Sequence, residues 1–141
     1  MTELERRRDA VMATQARFDG KPFAWDKRAT CIHLLSFHAR QMGHELPLVP
    51  RFRSPMGAVR ALRAQGVKTL PELLDMYFPR ISPSQMLMGD VACFPGDSDM
   101  DALMVYGQLR AFLGWHEDGE PCQPVRVSDQ GYALCKGAWR L

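Results

Sequence analysis

The residue best placed to do chemistry is Cys31, at the start of a run with helical spacing. In the stretch KPFAWDKRATCIHLLSFHARQMGHEL, from Lys21 to Leu46, an aromatic turn (Phe23-Ala24-Trp25-Asp26) leads into that run. Ile32, Leu35, Ala39 and Met42 recur at three- and four-residue steps, which places them on one helix face. A cysteine at a helix start meets unpaired amide groups and the positive end of the helix dipole, and both lower a thiol's pKa. A plain buried cysteine fits the same position, because free cysteine is among the most buried residue types. A nucleophilic thiol also needs a base within hydrogen-bond reach. Among the four histidines, His33 follows Cys31 by two residues and points away from it on a helix. His38 lies on the same side but two turns on, and His44 lies at the far end. That leaves His116, which could fold back over the helix start, with a surface or loop position as the plain alternative for all four. A metal site built from Cys31, His33 and His38 lacks ligand spacing.

The elements that must position these residues fit one domain, 1–141, with a single sizeable core. Hydrophobic residues make up 46% of the chain and charged ones 24%, the balance of an ordinary globular protein. No apolar run approaches the roughly 20 residues needed to cross a bilayer. The start, MTELERRRDAV, is too charged for a secretion signal, so the expected starting place is a cytoplasm. A net charge of +2 is too small to argue for nucleic acid, and Arg6, Arg7 and Arg8 are offset by Glu3, Glu5 and Asp9. The aromatics are not interleaved with basic residues as on a base-stacking platform. Cys31, Cys93, Cys122 and Cys135 form no Cys-x-x-Cys pair, which leaves structural zinc poorly supported and reduced thiols the default. No cofactor and no metal are expected.

Residues 2 to 19 read as a helix, with Thr2 and Glu5 as a capping box and Leu4, Val11, Gln15 and Phe18 near one stripe. The central helix covers about 30 to 43 and stops at Gly43. Pro47 and Pro50 mark a loop. Ser54-Pro55 opens a third helix, carrying Met56, Ala58, Val59 and Leu62 and ending near Gly66. Thr69 caps a fourth, with Leu70, Leu73, Leu74, Tyr77 and Phe78, ended by Pro79. Residues 81 to 85 read as a turn. At Gly89 the texture changes to strands: Val91 to Phe94, Ala102 to Tyr106, Leu109 to Trp115, Val125 to Val127 and Gly137 to Leu141, with a polar loop from Pro95 to Asp101. Met86, Met88, Met100 and Met104 read as gap-fillers at the sheet entry. Helices to about 80 followed by strands from about 89 predict an α+β domain whose N-terminal helices pack on a C-terminal antiparallel sheet.

Several short motifs follow one another along the chain: Lys21-Pro22-Phe23-Ala24-Trp25, Cys31, Arg51-Phe52-Arg53, Gly57-Ala58-Val59-Arg60-Ala61-Leu62, Gly89-Asp90-Val91 and Ala138-Trp139-Arg140-Leu141. This order resembles the papain-like NlpC family of cell-wall peptidases, and within it a small phage and prophage branch associated with tail genes. The resemblance implies a papain-like fold in which the cysteine attacks a peptide bond of murein stem peptides, a histidine on the second strand removes the thiol proton, and a third polar residue orients that histidine. The run that would carry the histidine reads Asp101-Ala102-Leu103-Met104-Val105-Tyr106, so Ala102 or Asp101 falls at the base position. Thr30 stands where the family places an aspartate before the cysteine.

The resemblance therefore implies a tail-tip structural or assembly component on a degenerate, non-catalytic domain, with Cys31 as a vestigial nucleophile. Its expected partners are other tail proteins and peptidoglycan, and its expected location is the host cytoplasm during assembly and then the virion tail. The competing expectations are an active cysteine peptidase opening peptidoglycan during infection, with His116 or an unrecognised group as base, and an intracellular interaction module unrelated to phage.

Overall fold

The computed structural model describes residues 1–46, 51–96, 101–117 and 119–141. The expected loop residues Pro47 and Pro50, and Met100, lie outside them. Four helices come first: α1 (Glu3–Phe18), α2 (Cys31–Gln41), α3 (Pro55–Ala64) and α4 (Leu70–Tyr77). Each begins where a hydroxyl can take an orphan amide: Thr2, Thr30, Ser54 and Thr69 accept from the backbone of Glu5, His33, Gly57 and Glu72. The Thr2–Glu5 capping box is complete, with bonds of 3.0 and 3.1 Å.

Then come β1 (Arg80–Ile81), a 3-10 turn (Pro83–Gln85), β2 (Val91–Phe94), β3 (Ala102–Tyr106), β4 (Ala111–Gly114), β5 (Gln123–Arg126), α5 (Asp129–Ala133) and β6 (Gly137–Trp139). The strands form one sheet in the order β1-β6-β2-β3-β4-β5, and every pairing is antiparallel. The expected α+β architecture, helices first and antiparallel sheet after, is the observed one.

Alternation along the strands sorts the sheet into two faces. Val91, Cys93, Leu103, Val105, Leu113 and Trp139 join the core shared with the helices, including Ile32, Leu35, Ala39 and Leu74. Ala92, Phe94, Met104, Phe112 and Ala138 face the other way, with Met86 and Tyr132 packed against them. Tyr132 of α5 donates to the Pro83 carbonyl at 2.6 Å, which closes that second layer.

Some expectations are corrected. The buried stripe of α1 is Arg7, Ala10, Thr14 and Phe18, while Leu4 is 65% exposed. Two polar residues lie inside because each finds partners there. Met56 is exposed rather than part of the α3 core face. The 81–85 turn is preceded by strand β1, and α5 was not expected at all. The β3–β4 connection is Gly107–Arg110, with Leu109 and Arg110 both at positive φ, so β4 starts at Ala111 rather than at Leu109.

Candidate functional site around Cys31

Cys31 is the first residue of α2, and Thr30 before it is fully buried as the N-cap. The Thr30 hydroxyl lies 3.4 Å from the His33 amide and 2.7 Å from His33 Nδ1. Thr30 thus holds the helix start and the imidazole that follows. The hairpin before it is closed by reciprocal bonds between Ala24 and Ala29, of 2.9 and 3.0 Å. Trp25, at the tip, packs against the core cluster that contains Cys31.

The Cys31 thiol donates to the Asp101 carbonyl at 3.7 Å. Leu103 and Val105 face the helices, whereas Ala102 and Met104 belong to the opposite face. By that alternation Asp101, rather than Ala102, is the β3-side residue that meets Cys31. The Asp101 carboxylate is drawn to Lys136, whose Nζ stands 2.7 Å from Oδ1. Lys136 is in turn fixed by its amide, which donates to the Cys93 carbonyl at 2.7 Å.

The electrostatics oppose a thiolate. Burial pushes the Cys31 thiol up and the Asp101 charge adds to that, against backbone amides of Leu103, Cys31 and Ile32 that pull it down. Cys31 is 7% exposed. The amides that stabilise a thiolate at a helix start are present, but desolvation outweighs them.

His116 is half-buried just past the end of β4, and its Nε2 donates to the Phe112 carbonyl of that strand at 2.7 Å. No histidine shares a hydrogen bond with Cys31 Sγ among the described residues. The structure therefore joins Cys31 to Asp101 and Lys136, and His116 to Phe112. The plain expectation of surface or loop positions fails for two histidines: His33 is 5% and His38 0% exposed. His38 Nε2 lies 2.8 Å from the Gly89 carbonyl and Nδ1 2.8 Å from the Thr14 hydroxyl. A carbonyl accepts only, so Nε2 carries the proton. Burial lowers the His38 pKa to about 4. No group of three or more His, Cys, Asp or Glu residues able to hold a metal occurs among the described residues.

The sequence reading missed the polar centre of the fold. Asp90 is fully buried, and its two oxygens take four donors. Oδ1 receives Arg7 Nη1 at 2.9 Å and the Leu141 amide at 3.1 Å. Oδ2 receives Arg140 Nε at 2.9 Å and the Leu87 amide at 2.8 Å. Arg7 also donates to the Met88 and Leu141 carbonyls, and Arg140 to that of Gln85. Gly89-Asp90 and Trp139-Arg140-Leu141 are thus two halves of one buried ion cluster that Arg7 completes. The signal was an arginine on the inner stripe of α1, hidden in a run that otherwise reads as solvated.

Comparison with solved structures bears on the fold. An NLP/P60-family protein similar to a lipoprotein, from Staphylococcus aureus, matches 99% of this chain at a TM-score of 0.62 and 15% identity. The chain spans 42% of that protein's length. The P60 domain of an antigen from M. avium paratuberculosis matches 98% of this chain and 95% of its own, at 0.58 and 19%. RipD from Mycobacterium tuberculosis, described as a non-catalytic NlpC/p60 domain protein adapted to peptidoglycan binding, matches 96% and 97%, at 0.59 and 16%. At these identities the likeness establishes an NlpC/P60-like fold. A search of curated proteins gives no match. No described helix is long and apolar enough to cross a membrane. A family model covers residues 2–140, and by it the chain belongs to the family described as Domain of unknown function (DUF6950).

Proposed function

We propose that this chain is a non-catalytic NlpC/P60-like domain that contacts peptidoglycan and serves as a structural or assembly component of a phage tail. The observation that carries the non-catalytic reading is Asp101 opposite Cys31. Burial raises the Cys31 pKa most and the Asp101 charge adds to it, while the Asp101 carboxylate is itself committed to Lys136. Losing a general base costs about 10²–10⁴ in rate, which leaves trace turnover. RipD, a non-catalytic neighbour adapted to peptidoglycan binding, supports wall contact as a use for such a domain. The tail assignment rests on the motif order from Lys21-Pro22-Phe23 to Ala138-Trp139-Arg140. On this reading the partners are other tail proteins and the wall, and the domain assembles in the host cytoplasm before entering the virion tail.

Purified protein would be incubated with murein stem peptides and the products read by mass spectrometry, beside Cys31→Ala. The expected result is no cleavage by either. Cleavage that disappears in Cys31→Ala makes the protein a cysteine peptidase instead. The tail half is tested by mass spectrometry of purified virions, where absence of the chain overturns it.

A further inference from the structure

The formal net charge of +2 hides a division along the chain. Residues 27 to 68 hold eight lysines and arginines against one acid, Glu45, while residues 69 to 120 hold nine acids against Arg80 and Arg110. Part of the basic segment converges beside the start of α2. The Trp25 ring, at the tip of the 24–29 hairpin, lies 6.1 Å from Phe52, and Phe52 lies 5.1 Å from His33 in the first turn of α2. Lys27 and Arg28 share the hairpin with Trp25 and the exposed Asp26, Arg51 and Arg53 flank Phe52, and all four cations are exposed. None of the four forms an ion pair with a described residue, whereas Arg6, Arg8, Arg80 and Arg110 pair with Glu3, Asp9, Asp75 and Asp129. The scaffold beneath them is firm. Phe52 is 9% exposed, and the hairpin is closed at Ala24 and Ala29. Arg28 is held at φ 56°, a left-handed conformation that side chains with a Cβ rarely adopt.

We propose that this rim of Lys27, Arg28, Arg51 and Arg53 binds the free carboxylates of peptidoglycan stem peptides, an inference that rests on the wall-contact reading above. Guanidinium groups match carboxylates in a two-bond fork, and four cations beside the single acid Asp26 leave an excess of positive charge for an anionic partner. Nucleic acid fits less well. Single strands need open ring faces to stack on, but Phe52 is buried and Phe23 meets both Trp25 and Trp115 at 5.6 Å with rings near perpendicular.

The test is a pull-down on isolated sacculi, either native or with their carboxylates amidated through carbodiimide and ammonia. Wild type is expected to bind native sacculi and to lose affinity on amidated ones. The double variant Arg51→Gln/Arg53→Gln should bind native sacculi roughly threefold to tenfold more weakly, the scale of two exposed ion pairs. Arg8→Gln, the same change on α1, should match wild type. Raising salt should weaken wild type on native sacculi far more than on amidated ones. Equal binding of wild type to both sacculi overturns the carboxylate inference and leaves wall contact standing. Binding to neither overturns wall contact and the inference with it. Tighter binding to single-stranded DNA than to native sacculi assigns the rim to nucleic acid. The native-against-amidated arm uses wild type alone, so it decides even if the double variant fails to fold.

Discussion

A thiol at a helix N-terminus is usually read as activated, yet the same position here gives the opposite result. The amides of Cys31, Ile32 and Leu103 favour a thiolate, but burial and Asp101 outweigh them. Position on a helix sets only one contribution to a pKa; solvent and neighbouring charge set the rest. Alkylation of Cys31, followed by peptide mapping, should therefore be slow at neutral pH and rise only in alkali. The variant Asp101→His removes the opposing charge and puts an imidazole on the residue before β3 whose carbonyl accepts from the thiol. Its Cys31 should react faster at pH 7, by about tenfold for each pKa unit gained. A wild-type rate already fast near neutral pH, with an inflection below 7, would contradict the electrostatic picture. His38 shows another consequence of burial. With Nε2–H given to Gly89, its Nδ1 and the Ala10 carbonyl compete for the single Thr14 hydroxyl proton, since that hydroxyl lies 2.9 Å from the carbonyl. Thr14→Val should leave Nδ1 without its donor and cost about 1–3 kcal/mol by chemical denaturation. A cost near zero would mean that the Thr14–His38 contact is not a formed hydrogen bond.

Among the elements, the pieces with strong local signals were legible in the sequence. Capping hydroxyls and apolar spacing located α2, α3 and α4 to within a few residues, and the Val91 to Phe94 and Ala102 to Tyr106 runs were strands as expected. What failed were elements whose stability is borrowed from elsewhere. β1 is two residues long and exists through its pairing with Ala138 and Trp139. α5 spans five residues, includes Gly131, and depends on the Ser128 cap and the Tyr132 anchor to Pro83. The α1 stripe was misread because Arg7 and Thr14 look like surface residues until Asp90 and His38 are placed against them. The candidate cysteine was legible for the same reason as α2, and its partner was not, because pairing between distant segments decides whether Asp101 or Ala102 faces it. Asp90 is the test of the borrowed kind of order, since it ties α1 and the 85–88 segment to the end of β6. Asp90→Asn keeps the size but removes the charge facing two arginines. It should cost about 3–5 kcal/mol in urea denaturation, as expected for breaking a buried pair. A loss below about 1 kcal/mol would show that solvent or alternative acceptors replace it.

At the scale of the whole molecule, polar links join the helical and sheet halves at several points. Arg7 reaches Asp90 and Leu141, Asp75 of α4 accepts from the Trp139 indole at 2.9 Å, and Trp115 donates to the Lys21 carbonyl at 2.9 Å. Helix content and tryptophan fluorescence should therefore be lost together on denaturation. The same burial sets a pH window for that stability. The His38 pKa falls from 6.5 to about 4 in the folded state, so the unfolded chain binds the extra proton first. Stability is complete above 6.5 and is lost as pH falls toward 4, by roughly 3 kcal/mol. On the alkaline side, burial raises Cys93 and Cys122 from 9.0 to about 12. There the unfolded chain releases protons first, so stability is complete below 9 and is lost as pH rises toward 12. Denaturation midpoints measured from pH 3 to 11 should give a plateau between about 6.5 and 9 with a decline on both sides. If wild type kept its midpoint unchanged between pH 6.5 and 4, His38 would not be held neutral by its burial. If the decline above 9 survived replacement of both Cys93 and Cys122 by alanine, it would belong to other groups.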